Sequence, residues 1–481
     1  MIPIIKKAKA WFGQRKVKIA YNGFQKRSRW DAASTDRLNK GHWSKAGGAA
    51  DPITNSMVGS LSAIQQRCVY EISNNPMVDG VVETWATDLV GTGPNMQCQS
   101  SNDAFNIDIE KVWREWWAAP DVTGRLSGAA MLRMCARLLW SYGEFTAQIV
   151  TDAKAKGRIK TRVYSIHPRR LSTPVSMIMK GNVLLGIEAD KFGRPINYYF
   201  QREKNVYGGV MQEVEWDTIP SAGIIHHFKS SEPDQVRGFP LLASALNSIA
   251  ELRDYDSQVM DAARAAADKE FFLFARGSDV ETFALDDPET LEVERRTIKT
   301  LPPGWEPFES NPGQPAANYV EYRHERLREI GRPVNMPLMT VLLDSSNHNY
   351  ASARFDGQNY QRGLITERTS INHSTLDRLS GSVAREAELS LGMIRPDDAR
   401  FVWTWPPMPH VDPSKEAKAD NQRLKDFVTS RTRVCAALGV DFETLVNELS
   451  REKALLDGAG LTAPEIDAAI AKEGAKDGSK N

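Results

Sequence analysis

Between residues 236 and 354 the sequence opens with Val236-Arg237-Gly238-Phe239-Pro240 and closes with Asp344-Ser345-Ser346-Asn347-His348-Asn349-Tyr350-Ala351-Ser352-Ala353-Arg354. What lies between these two marks decides the fold. Pro240 suits the first turn of a helix. Leu242, Leu246, Ile249, Val259, Ala263 and Ala266 then give an apolar stripe across 240–268. A helix of that span is a rod of about 44 Å. Asp254, Asp261 and Asp268 recur every seven residues, so they share one face within about 20° per step. In an arbitrary protein such a stripe is more often a solvated face than a functional one. The next stretch is acidic: Asp279, Glu281, Asp286, Asp287, Glu289, Glu292 and Glu294 occur with no base among them. Leu301-Pro302-Pro303-Gly304-Trp305 predicts a rigid turn and 319–330 a short helix. Residues 331–350, with Pro333, Pro337 and the Asp-Ser-Ser-Asn-His-Asn cluster, read as loop.

Working toward the N-terminus, 54–90 is helical, with a break forced at Asn75-Pro76 and a stop at Gly91-Thr92-Gly93-Pro94. A second amphipathic helix, 103–118, carries Val112, Trp113, Trp116 and Trp117 on one side. Those tryptophans could stack on bases, but such a stripe is far more often core. A third helix covers 127–141. From 143 to 228 the period drops toward two, with strands expected at 144–151, 159–166, 183–189, 196–200 and 224–228. Helices followed by strands predict an α+β arrangement. His226-His227 lies inside an apolar strand, so the two rings face opposite ways; a structural role fits better than a metal site. Toward the C-terminus a long helix spans 352–391, stopped by Gly392. Helices are expected at 412–438, 442–458 and 464–472, with starts at Asp412-Pro413-Ser414 and Thr462-Ala463-Pro464-Glu465.

The chain has 481 residues, which predicts roughly two to four structural regions. Lys+Arg and Asp+Glu both number 61, so any contact with nucleic acid must come from local charge separation. Cys68, Cys98, Cys135 and Cys435 are scattered without ligand spacing, which suits a reducing cytoplasm. No apolar run approaches the ~18 residues of a membrane span, and the N-terminus has no secretory h-region. Residues 1–50 form a basic arm in which Lys6, Lys7, Lys9, Arg15, Lys16, Lys18, Lys26, Arg27 and Arg29 precede the first acid, Asp31. Trp11, Phe12, Tyr21, Phe24 and Trp30 are interleaved with these cations. The arm is read either as a segment that docks on an anionic partner or as a solvated terminus. There is no GxxxxGK[ST], HExxH or GxSxG, and Asp108 and Glu110, two apart on a helix, do not share a face as an acid/base pair would. No catalytic residue, metal ligand or cofactor site is therefore expected.

Several further runs occur in a fixed order. They are Val90-Gly91-Thr92-Gly93-Pro94-Asn95-Met96-Gln97, Gly186-Ile187-Glu188-Ala189-Asp190 and Gly193-Arg194-Pro195-Ile196-Asn197-Tyr198-Tyr199. Ile219-Pro220 with Ile224-Ile225-His226, Gln235 with the 236–240 run, the 349–354 run, and Asp412-Pro413-Ser414-Lys415-Glu416-Ala417 complete the set. In this order the chain resembles the lambda-type portal proteins of tailed phages over nearly its whole length. It departs from that pattern at Arg332-Pro333-Val334-Asn335-Met336-Pro337, where a Gly-Val-Pro-like ending is expected.

The resemblance implies a ring, typically dodecameric, at one capsid vertex of the virion, assembled in the host cytoplasm. It implies a portal fold with an α/β wing, a long helical stem, a small clip and a helical C-terminal crown. Mapped here, the arm is 1–50, the wing 51–238, the first stem helix 239–270, the clip 271–316 and the second stem helix 317–331. A tunnel loop follows at 332–351, a long wing helix and returning strand at 352–410, and the crown at 411–481. Asp254, Asp261 and Asp268 would line the channel, the seven clip acids would face the terminase, and Asp344 to Asn349 would form the tunnel loop. The implied partners are double-stranded DNA, terminase, a head-tail adaptor and a major capsid or scaffolding protein, with no membrane. The rival readings are another structural head or neck protein and a nucleic-acid-processing enzyme.

Overall fold

The computed structural model describes residues 53–178, 181–202, 215–267, 271–275, 305–309, 318–346, 348–408, 413–440 and 442–459. The chain divides at Ser56 into two units, and the packing below is that of the second, from Met57 onward. The arm at 1–50 and the expected helix at 464–472 lie outside the described residues.

The first helices follow from their caps. Helix α1 (Ile53–Asn74) gives way to α2 (Pro76–Val90) at Asn75, whose side chain accepts from Met77 N at 3.1 Å and Val78 N at 3.4 Å. Pro76 occupies the first turn, where its missing N–H costs nothing. Val78, Val81, Val82, Trp85 and Leu89 form the buried face of α2. Gly91, at φ +55, ends it where a side chain would be strained. Helices α3 (Asp103–Trp117) and α4 (Gly128–Ser141) begin at the side-chain caps Asn102 and Ser127. The tryptophans of α3 are core: Trp113 and Trp116 are buried, and Trp116 Nε1 donates to Thr161 O at 2.7 Å.

All strand pairs among the described residues are antiparallel. Strand β1 (Asn95–Gln99) pairs with β11 (Arg400–Thr404), far away in sequence. Strands β2 (Glu144–Thr151), β3 (Thr161–Ile166) and β8 (Ile224–Phe228) form a sheet in the order β3-β2-β8. Strands β4 (Val183–Leu184), β5 (Ile187–Ala189), β6 (Pro195–Gln201) and β7 (Trp216–Pro220) form a second sheet in that order. The single strand expected at 183–189 is thus a tight hairpin. Leu185 and Gly186 both have positive φ, and a Cβ on Gly186 would sit 2.7 Å from Ser172 N. Period-two hydrophobicity cannot reveal a turn made by backbone geometry alone.

A 3-10 turn (Leu241–Ala245) leads into α5 (Leu246–Ala267). Strands β9 (Phe271–Ala275) and β10 (Trp305–Glu309) pair with each other beyond it, and α6 (Tyr319–Gly331) returns. The segment expected as loop after it holds a 3-10 turn (Arg332–Val334) and a short helix α7 (Leu338–Leu342). Two prolines concealed these turns, although each sits where a helix can begin. Helix α8 (Tyr350–Ile371) and α9 (Asp377–Leu391) run on through a π-helical stretch, Asn372–Leu376, and end at Gly392, φ +68.

Helices α10 (Pro413–Lys425), α11 (Arg431–Ala437) and α12 (Phe442–Gly458) follow, with no buried residue. The one helix expected at 412–438 is two, because Phe427 adopts φ 55 and Ser430 caps α11. One large core packs α2, α4, the foot of α5, the end of α6 and α8; another packs α3, α4, α9 and the β3-β2-β8 sheet.

Candidate functional site

The Val236–Pro240 run earns its place through charge and close approach. Arg237 is buried and its Nε lies 2.8 Å from both carboxylate oxygens of Glu144, with Nη2 also on Glu144. Its Nη1 donates to Leu171 O and Leu185 O, each at 2.8 Å, and Nη2 to Pro168 O at 3.2 Å. Glu144 takes Gly238 N at 3.1 Å and faces His226 Nε2 at 3.0 Å. Burial alone would raise the Glu144 carboxyl, but the Arg237 guanidinium, helped by His226, brings it down to about 2. Burial lowers His226 despite that carboxylate, since Arg237 already answers the negative charge. A Cβ on Gly238 would collide with the carbonyl of Gly143, and one on Gly143 with the backbone of Phe239. Two bare backbones and one buried ion pair therefore fix where α5 leaves the sheets.

The histidine pair behaves as the strand period predicts. His226 faces Glu144 and Tyr198, whereas His227 meets Ser374 Oγ at 2.7 Å and Glu367 Oε1 at 3.2 Å on the α8 side. These bonds tie β8 to the π-helical stretch. No group of His, Cys, Asp or Glu among the described residues could hold a metal ion.

Helices α5 and α6 lie antiparallel. Ser248 meets Glu329 at 2.5 Å, Arg326 approaches Glu251 at 3.9 Å, and Tyr319 donates to Asp256 at 2.9 Å. Tyr255 packs against Tyr319, tilted, and Tyr322, edge-on, with ring centroids 5.9 and 4.8 Å away. Among the α5 residues whose burial is described, only Ile249 and Leu252 are buried, both near its start. At about 3.6 residues per turn, Asp254 and Asp261 fall on the flank of α5 turned away from α6, and both are exposed. Among the described residues Asp254 has no ion-pair partner, and Asp261 pairs only with Arg264 one turn on. Asp268 and the seven acids from Asp279 to Glu294 lie outside the described residues.

The polar cluster sits between α7 and α8. Leu343, at φ 53 and 77% exposed, turns the chain outward. Asp344 accepts from Ser346 N at 2.9 Å, Ser345 O accepts from His348 N at 3.1 Å, and Asn349 caps α8 through Ser352 N at 2.9 Å. The bond from the Ser346 amide holds the Asp344 carboxyl below its usual range. Asn347 lies outside the described residues. A cleft of about 710 Å³ adjoins this loop, lined by Arg328, Arg332, His348, Asp356 and Arg362 among others. The sequence reading missed this cleft and the Glu144 pin. A carboxylate opening an apolar strand directly after Gly143 was the available signal for the pin; the cleft assembles from α6, the 3-10 turn, the polar loop and α8 and left none.

Among solved structures the chain is similar to one in the neck of an empty GTA particle computed with C6 symmetry, at 15% identity and TM-score 0.46, covering 81% of this chain and 94% of that one. It is similar to a chain of the virion of a native gene transfer agent particle, at 14% identity and TM-score 0.46, covering 79% and 93%. A HK97-family phage portal protein from Corynebacterium diphtheriae is similar at 12% identity and TM-score 0.34, covering 73% and 97%. The family model described as phage portal protein, lambda family, matches residues 37–368. That match spans more than half of the sequence and takes in the ion-paired β2 strand, the α5/α6 hairpin and the polar loop: this chain belongs to the lambda family of phage portal proteins.

Proposed function

We propose that this chain is the subunit of a closed ring, typically of twelve copies, at one capsid vertex, forming the channel for genome packaging and ejection. The observation that carries the reading is the antiparallel α5/α6 hairpin, which extends into the β9/β10 pair and has the polar loop at its base. In this reading 51–238 with 352–410 is the wing, α5 and α6 are the stem, 271–316 is the clip and 411–481 the crown. The clip acids face the terminase and the head-tail adaptor. The major capsid or scaffolding protein meets the wing or the basic arm.

The physics of passage favours such walls. Each phosphate neutralised by Lys or Arg adds affinity and friction, so a channel that lets DNA slide presents acids, and Asp254, Asp261 and Asp268 supply them. No catalytic step is assigned to the chain, which acts by geometry in the virion after assembly in the host cytoplasm. Negative-stain microscopy of the purified protein tests this reading. Rings with a central hole, sedimenting at several hundred kilodaltons without ATPase or nuclease activity, are expected. A stable monomer with either activity would sink it.

A further inference from the structure

The cleft beside the polar loop holds more positive charge than the described residues of its own chain answer. Arg328 comes from α6, Arg332 from the 3-10 turn, Arg362 from α8 and His348 from the loop, against one carboxylate, Asp356. Arg328 is held by Glu325, while among the described residues Arg332 reaches only the amide oxygen of Asn335, at 3.2 Å. Arg362 offers its backbone carbonyl to Thr366, but its guanidinium has no partner among the described residues. His348 Nδ1 is buried and has no partner among them either. Asn335, at φ 57, turns the backbone of this wall, and Gly363 of α8 lies against Val334 and Asn335 at ordinary contact distance.

The donors indicate the form of the ligand. A single buried carboxylate, Glu144, is met by one guanidinium, that of Arg237, with the Gly238 amide and His226 beside it. Three guanidiniums fanned out from three elements, with an imidazole nitrogen lacking a partner, suit the several oxygens of successive phosphates instead. We infer that this cleft binds phosphodiester groups of duplex DNA, without sequence preference, at the level of the polar loop. The inference rests on the channel reading above. It gives the channel two zones: an acidic flank on α5 along which the backbone slides, and a basic cleft that holds it.

The test uses full-length assembled protein and a short labelled DNA duplex, with binding followed by fluorescence anisotropy across a salt series. Arg332→Gln with Arg362→Gln should weaken binding about tenfold at low salt and reduce the salt slope by about two. Arg385→Gln with Arg431→Gln, the same charge change on exposed helix positions elsewhere, should bind as the wild type does. Unchanged affinity and slope in the cleft variant would overturn the site. So would loss of rings by that variant in sedimentation, since the cleft would then belong to an acidic segment of a second copy. Wild-type protein that binds DNA through the cleft yet forms no ring would refute the channel and leave the site standing.

Discussion

Glu144 is a carboxylate with no access to water, and its neighbours determine how the fold answers to acid. Its folded pKa, about 2, lies below the unfolded value, so it contributes stability above about pH 4.5 that is lost as pH falls toward 2. His226 is also depressed, from 6.5, so the unfolded chain takes up its proton first and stability starts to fall below about pH 6.5. Acid melts should therefore show stability falling in two stages. A wild-type Tm that is flat from pH 7 to 3 would contradict the assignment. Arg237→Ala should cost about 3–5 kcal/mol, because it strands a buried charge, and calorimetry at neutral pH checks it. Gly238→Ala should be comparably severe, since its Cβ would strike the Gly143 carbonyl. A Tm within about 2 °C of wild type would show that the approach can relax. Arg237 and Gly238 were both visible in the sequence. Their partners, 93 and 94 positions upstream at Glu144, were not, because only the fold brings them together.

At the scale of elements, legibility tracked local chemistry. The Asn75-Pro76 break, the ends of α2, α3 and α9, and strands β2 and β8 fall where caps, glycines and hydrophobic period place them. What stayed hidden is non-local or conformational: β1 and its pairing, from Asn95 with Thr404 to Gln99 with Arg400, to the strand expected before Trp405, and the positive-φ turns at Leu185 and Phe427. The heptad of aspartates was legible as a stripe. Its two described members do lie exposed, on the flank of α5 that α6 leaves open. Replacing Asp254, Asp261 and Asp268 together by Lys should leave assembly nearly intact while creating salt-sensitive DNA binding and slowing packaging. Sedimentation and anisotropy read the two effects separately. If the triple variant fails to form rings, the stripe is an interface between copies and not a wall.

For the whole molecule, closure of a ring requires one heterologous contact repeated about an axis. A chain with 61 bases and 61 acids can stack against itself without net repulsion. Its zero net charge also means that any hold on DNA is local, which puts the weight on the loop between α7 and α8. That loop begins at an outward-turned Leu343 and ends at the Asn349 cap. Its short polar side chains can exchange hydrogen bonds with a moving backbone without gripping it. Deleting residues 345–347 should spare the cores, since none of their described side chains is buried. Rings should still form, while DNA retention or packaging fails. The position of the loop is the more stringent measurement. In a reconstruction of the assembled ring, residues 344–349 should stand at the narrowest part of the channel, with the mouths of the arginine clefts beside them. Finding the loop on the outer rim would reject its role in the channel and remove the reason for the clefts to meet DNA.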